Sequence, residues 1–182
     1  MSESQTATPY TALLDSAKSP QELYQALVNA PFADPVKAAQ LFLGIVVLLL
    51  ANKKTGNIDR IALSNTLPAK GTVQMSVKRF EDIKIPLDYR ENIIAEAIHS
   101  GIPQQTTDWR NMFEPALTAE EARLNQAGGG IAFSAVYPLT GFGDGGAMIF
   151  SYFQYVENID ERQRSFMREY SQLASQYLAK LQ

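Results

Sequence analysis

Polar residues that open helices and apolar runs that mark strands alternate along this chain. Four segments put a Ser, Thr, Asn or Asp three residues ahead of a Glu: Ser19 with Glu22, Asp88 with Glu91, Thr118 with Glu121 and Asn158 with Glu161. Such a pair satisfies backbone N–H groups left over at a helix start. Pro20 after Ser19 and Pro35 after Asp34 bring a fixed φ and no N–H to the first helical position, where neither does harm. Helices are therefore predicted over about 20–29, 35–43, 89–99, 119–127 and 159–181. The third should stop at Ser100-Gly101 and the fourth at Gly128-Gly129-Gly130, because glycine tolerates the left-handed conformation that closes a helix.

Strands are marked by β-branched and aromatic runs between turn residues. Residues 45–52 (IVVLLLAN) and 58–65 (IDRIALSN) read as a hairpin around Lys53–Asn57. Residues 72–80 alternate, with Val73, Met75 and Val77 on one side, and read as a third strand. Residues 131–139 and 146–156 read as a second hairpin around Gly141–Gly145. In that hairpin Ile131, Phe133, Ala135 and Tyr137 back onto Ala132 and Val136, and Ile149 and Phe153 onto Met148, Phe150 and Tyr152. Strands apolar on both faces need cover on both faces. The pattern thus predicts an α+β fold: one antiparallel sheet of five to six strands, terminal helices on one side, inserted helices and loops on the other. Residues 1–18 are expected to be a flexible segment and 19–182 a single domain.

Composition narrows the function. The 182 residues, 46% of them apolar, make about one domain with a genuine core. Sixteen basic and nineteen acidic residues give a net charge of -3, and the basic ones are scattered, so nucleic acid is not an expected partner. The chain has no cysteine, which excludes disulfides, thiolate metal sites, thiol nucleophiles and any cofactor attached through sulfur. The first ten residues carry no secretory signal, and the greasiest run, Leu41–Ala51, is too short for the roughly 18 to 20 residues that cross a bilayer. The cytoplasm is the default compartment, and no membrane partner is expected.

The helix AEAIHSG closing at Gly101-Ile102-Pro103, followed by IAFSAVYPLTGFGDGGAMIF, resembles the GAF family over roughly residues 20–182. The resemblance rests on a small-Gly-x-Pro helix end, the acidic Asp108 beyond it, a strand ending in Pro138-Leu139, the Gly145-Gly146 turn, and a last helix from Ile159. It implies a sheet of order 2-1-5-4-3 and a pocket between the sheet and the inserted residues 79–127. Domains of this family commonly bind cyclic nucleotides, tetrapyrroles or metabolites, or simply dimerise, and regulate something attached to them. Without cysteine, neither bilin attachment nor the thiol chemistry of the methionine sulfoxide reductases of the family is open to this chain. The Asn-Lys-x-Phe-Asp-Glu signature of the cyclic-nucleotide class is absent, Phe80-Glu81-Asp82 being only an echo. No kinase, cyclase or DNA-binding segment follows, so the output is expected from another chain or segment.

Trp109, the sole tryptophan, sits in the polar segment Gln104–Asn111 with Arg110, Met112 and Phe113 beside it. An aromatic, a guanidinium and a thioether together suit a small-ligand pocket; the competing reading is a loop pinned to the core by its large residues. Arg79 and Ser134 border the same expected cavity, Arg79 by parity with Val73, Met75 and Val77. Arg79 and Arg110 favour an anionic ligand. The glycine cluster 128–130 leads into a strand and has no Gly-Lys-Ser/Thr after it, so it reads as a turn rather than a phosphate loop. His99 is the only histidine, in a last helical turn where its charge suits the helix dipole; one imidazole builds no His-based metal site. Glu120-Glu121 read as first-turn anions. No nucleophile with a base and no spaced carboxylate pair emerges, so the chain is read as non-enzymatic, with no cofactor named.

The closing helix carries one stripe of Phe166, Tyr170, Leu173 and Tyr177 and a second of Met167, Ala174, Leu178 and Leu181. One stripe suffices to cover a sheet. The second points to a homodimer through this helix, or to cover within the chain by Leu23, Tyr24, Leu27 and Val28. Two functions follow: a sensory module holding a small molecule, or a ligand-free interaction scaffold.

Overall fold

The computed structural model describes residues 9–155 and 159–181. Among these, six strands form one antiparallel sheet: β1 (Leu43–Asn52), β2 (Asn57–Leu63), β3 (Ile85–Pro86), β4 (Gln104–Thr106), β5 (Phe133–Leu139) and β6 (Gly146–Tyr152). Their spatial order is β3-β2-β1-β6-β5-β4. The helices are α1 (Thr11–Asp15), α2 (Pro20–Asn29), α3 (Pro35–Gln40), α4 (Leu67–Met75), α5 (Ile93–Ser100), α6 (Arg110–Phe113), α7 (Ala119–Gly129) and α8 (Glu161–Ala179). The class is α+β, as the pattern implies.

β1 divides the interior. Val46 and Leu48 meet α1, α2 and α8 in a core with Leu14, Leu27, Phe133, Phe150, Tyr152, Met167 and Tyr170. Ile45, Val47 and Leu49 meet the insertion in a second core with Ile58, Ile94, Trp109, Met112, Phe113 and Ala122. Most of these side chains are almost wholly out of solvent, and each large one contributes about 1.5–3 kcal/mol on burial. The alternation in β5 and β6 holds: Phe133, Ala135, Met148 and Phe150 face the first core, Val136, Ala147 and Ile149 the second.

The order 2-1-5-4-3 is present once the two-residue β3 is set aside, but its third strand is Gln104–Thr106 rather than 72–80. Residues 67–75 are instead the helix α4. Thr66 caps it by accepting the Ala69 N–H, and Pro68 lies in its first turn. The alternating Val73, Met75 and Val77 line no sheet; they remain 47%, 46% and 64% exposed.

Capping sets the other boundaries. Ser19 accepts the Glu22 N–H, and Thr118 and Glu121 form a reciprocal box. α5 begins later than expected because Asn92, not Asp88, caps it, and it closes on Gly101 at φ +71° as read. α8 is boxed by Asp160 and Gln163, while Asn158 lies outside the described residues. α3 stops at Gln40, and Phe42, at φ +57°, turns the chain into β1. β6 ends at Tyr152, short of the expected 156, which lies outside the described residues.

At the two ends, one expectation changes and one choice between two readings is made. Part of the segment expected to be flexible is folded: Leu14 of α1 is buried, and Tyr10 meets Tyr170 edge-on at 5.1 Å. The second stripe of α8 is covered within the chain: Met167, Ala174 and Leu178 are buried in a core that they share with Leu23, Leu27 and Val28. Only Leu181 of that stripe stays substantially exposed, so the stripe offers no free seam for a dimer.

Candidate functional site

The insertion does not pack on the sheet as simply as the terminal helices do. α4 and α7 cross backbone to backbone: a methyl on Gly71 would sit 2.1 Å from the Gly128 carbonyl oxygen, and one on Gly128 would sit 2.6 Å from that of Gly71. Gly128 and Gly129 thus belong to the last turn of α7 and permit this approach, and only Gly130, at φ +65°, closes the helix. Beneath the crossing lies a narrow recess lined by Arg60, Thr72, Val73, Ser76, Lys78, Phe80, Trp109, Phe113 and Asn125. Its volume is about 10 Å³, room for about one water molecule.

Arg60 reaches this recess because β2 is bulged. Leu49 pairs with Arg60 while Leu48 pairs with Ala62, so Ile61 is the extra residue and Arg60 shares the insertion face with Ile58 and Leu49. Its guanidinium carbon lies 4.1 Å from the Phe80 ring centre and 5.2 Å from that of Phe113. Both contacts are of the cation–π kind. Its Nε is shut off from solvent and has no hydrogen-bond partner among the described residues. No carboxylate there offsets its desolvation, and burial pushes its pKa down to about 9.

Around it most hydrogen-bonding capacity is already used. The Thr72 hydroxyl donates to the Ala69 carbonyl at 2.7 Å and the Ser76 hydroxyl to the Lys78 carbonyl at 2.7 Å. Asn125 donates from Nδ2 to Ser76 Oγ at 3.2 Å, and Lys78 Nζ donates to the Ala116 carbonyl. Asn125 Oδ1, buried, accepts nothing. Arg60 and Lys78 are the charged residues of the lining, and no acidic residue joins them.

The residues singled out in the sequence divide sharply. Trp109 and Phe113 form the floor of the recess, their rings edge to face at 5.5 Å. Met112 is wholly buried behind them. Ser134 accepts from Trp109 Nε1 at 2.9 Å and bonds Ser151 at 2.6 Å, so it anchors the indole instead of facing open space. Arg79 lies outside: with 72–80 not a strand, its parity with Val73 has no meaning, and it pairs in solvent with Asp82 at 2.8 Å. Arg110, in α6, is exposed. Asp108 instead holds Arg123 at 2.7 Å, and those hydrogen bonds keep its carboxyl below the ordinary range. His99 is exposed in the last turn of α5.

Arg60, Ser76, Lys78 and Asn125 were missed. Arg60 had a readable signal, a cation two residues after Ile58 on the same side of a strand. Asn125 had one as well, standing three residues after Ala122 on the buried stripe of α7.

A roomier groove of about 380 Å³ lies on the opposite side, between Tyr10, Lys37, Leu41, Phe166, Tyr170 and Leu173. Its walls are mainly carbon, and the Tyr170 hydroxyl is committed to the Leu27 carbonyl at 2.7 Å. Among the described residues no group of three His, Asp or Glu could hold a metal ion, and no helix is long and apolar enough to cross a membrane.

No protein-family model matches the chain, and no curated protein matches it in sequence. Solved structures do match in fold. The GAF domain of a phosphoenolpyruvate-protein phosphotransferase from Coxiella burnetii superimposes with a TM-score of 0.63 at 12% identity, over 94% of this chain and 89% of that one. The corresponding GAF domain from Acinetobacter gives 0.61 at 12%, over 99% and 96%. Free methionine-R-sulfoxide reductase from Neisseria meningitidis, solved in complex with its substrate, gives 0.57 at 10%, over 93% and 83%. The chain has the GAF fold.

Proposed function

We propose that this domain is a non-enzymatic regulatory module of the cytoplasm that senses a small molecule in the recess beneath the α4–α7 crossing. One observation carries the reading: two residues that line the recess, Arg60 and Asn125, each hold a buried polar atom without a hydrogen bond, Nε of the one and Oδ1 of the other. Leaving such groups unmade costs about 1–3 kcal/mol each, more for a charge, and proteins keep such costs chiefly where function needs them. An anion would suit the recess through Arg60 and Lys78; Arg79 and Arg110, on which the sequence expectation rested, are not among its lining. Sharing a fold with an enzyme does not make this chain one, and with no cysteine it lacks the thiol chemistry expected of that class.

The second reading, a ligand-free interaction scaffold that includes a homodimer, is favoured by how tightly Trp109, Met112 and Phe113 are packed. With Leu178 covered in its own chain, a dimer would need another surface than the second stripe of α8. A thermal-shift survey of small metabolites separates the two. A ligand that binds the folded state raises the midpoint, and the more so the further its concentration exceeds its Kd; replacing Arg60 should remove the rise. A survey with no hit, together with a dimer in sedimentation, would establish the scaffold instead.

A further inference from the structure

We propose that a second groove, between α8 and the end of β5, binds the phosphoryl group of a small phosphorylated polyol. It shares no residue with the recess beneath the α4–α7 crossing and does not depend on how that recess is read.

α8 turns its apolar stripes to the core, and a polar stripe runs beside them. Arg164, Arg168, Gln172 and Gln176 follow one another at intervals of four residues, so they share one face and each stands about 6 Å along the helix from the last. All four line an open groove of about 540 Å³ that Tyr137, Pro138 and Thr140 line as well. No acidic residue belongs to its lining. Glu161, just outside, is taken up by Arg164 at 3.0 Å and by the Ser165 hydroxyl at 3.3 Å. Arg168 donates to Ser165 Oγ at 3.2 Å and makes no ion pair among the described residues. Burial raises the pKa of the Tyr137 hydroxyl, while the charges of Arg168 and Arg164 draw it down, which places both guanidinium groups near the phenol.

Charge and donor count select the ligand. A lone carboxylate on an exposed arginine gains almost nothing measurable in water, too little to be held in an open groove. A phosphate monoester carries a charge of about −1.5 to −2 near pH 7 and presents three acceptor oxygens, enough to serve both guanidinium groups and the phenol together. Further along the stripe the groove offers neutral groups alone: the amides of Gln172 and Gln176, which donate and accept, and the Thr140 hydroxyl. These suit hydroxyls on a short carbon chain. A second anionic group would meet no cation there, and a nucleobase would meet a single ring, the half-buried Tyr137.

Glycerol 3-phosphate, glycerol and inorganic phosphate, titrated into the whole isotope-labelled chain at physiological ionic strength, test the assignment through the arginine Nε–H resonances. Glycerol 3-phosphate is expected to bind about three- to tenfold tighter than inorganic phosphate, the factor one added hydrogen bond gives, with shifts centred on Arg164 and Arg168. Glycerol should not bind. Arg168→Gln, at an exposed position, should weaken both phosphates about tenfold or more. Gln172→Ala should bring glycerol 3-phosphate down to the level of inorganic phosphate. Arg162→Gln removes the same charge from the same helix outside this groove and should change neither. Equal losses in Arg168→Gln and Arg162→Gln would reduce the binding to diffuse charge and overturn the site. So would glycerol binding as tightly as its phosphate, or neither phosphate binding. Vesicles carrying phosphatidic acid that shift these resonances when glycerol 3-phosphate does not would overturn the soluble polyol in favour of a lipid headgroup. Arg60→Met should leave every one of these titrations unchanged, so failure here and failure of the recess are told apart.

Discussion

β1 sends Val46 and Leu48 to one side of the sheet and Ile45, Val47 and Leu49 to the other, yet what meets them there differs in kind. On the side of α2 and α8, large aliphatic and aromatic side chains interdigitate, and polar groups that enter reach distant backbone: Gln163 donates to the Leu41 carbonyl at 2.8 Å and Tyr170 to the Leu27 carbonyl at 2.7 Å. Buried atoms without a hydrogen bond on this side include the neutral hydroxyls of Tyr152 and Ser171, while the one charged atom on the Leu50 side of β2, Asp59 Oδ1, has Lys84 at 3.4 Å. On the insertion side, two helices meet through bare glycine backbone, and a guanidinium stands in the interior with no carboxylate. One sheet therefore carries a face built for stability and a face that gives some of it up. Such asymmetry is expected where one side of a scaffold carries function.

Several substitutions break or sharpen this contrast. The largest effect belongs to the stable face. Leu27→Ala opens a cavity among residues with no solvent access and should cost about 2–5 kcal/mol in denaturant unfolding. Gly71→Ala follows on the other face. Helix propensity alone would make it stabilising by about 1 kcal/mol, but the added methyl meets the Gly128 carbonyl at 2.1 Å, so a net loss of about 2 kcal/mol is expected. A gain in stability would show that the crossing is loose. Trp109→Phe keeps an aromatic floor but leaves Ser134 without its indole donor, and about 1–2 kcal/mol should be lost by the same measurement.

The pH dependence of stability draws on both faces. Burial holds the Tyr170 hydroxyl far above its usual range, and burial followed by the bond to Asp15 pushes Tyr177 up to about 12. Both favour the protonated folded state, so their contribution is whole below about pH 10 and is lost as pH rises through the folded values. The insertion answers at the acid end. Asp108, held low by its bonds to Arg123 and the Arg110 N–H, contributes above the ordinary carboxylate range and loses that contribution as pH falls through its depressed value. Tyr170→Phe should flatten the alkaline limb of a stability profile, and Asp108→Asn the acid limb. The smallest effect is the most telling. Arg60→Met removes an unpaired buried charge and should leave the free protein as stable as before, or up to about 1 kcal/mol more so.

The sheet was legible because β1, β5 and β6 are apolar on both faces and lie between unmistakable turns. The α4 segment was not, because Val73, Met75 and Val77 alternate like a strand, while the features that decide for a helix, a Thr66 cap and a glycine aimed at another glycine far along the chain, are weak or non-local. That error carried Arg79 into the site. Trp109, Phe113 and Ser134 do come together, the indole donating to Ser134 and its ring meeting Phe113, in a packed arrangement that a lone tryptophan in a polar segment does not by itself specify. Arg60 escaped notice because alternation puts it with Ala62, which faces the first core, as readily as with Ile58, and the bulge at Ile61 that separates the two leaves no mark in a seven-residue strand.

Amide hydrogen exchange tests the central claim most directly, with wild type measured free and in the presence of whichever surveyed compound raises its melting temperature most. With the recess as the site, exchange should slow in α4, in residues 76–78 and in α7, while α2 and α8 keep their rates. Slowing confined to the groove between Tyr10 and Phe166, or equal on both faces of the sheet, would contradict it.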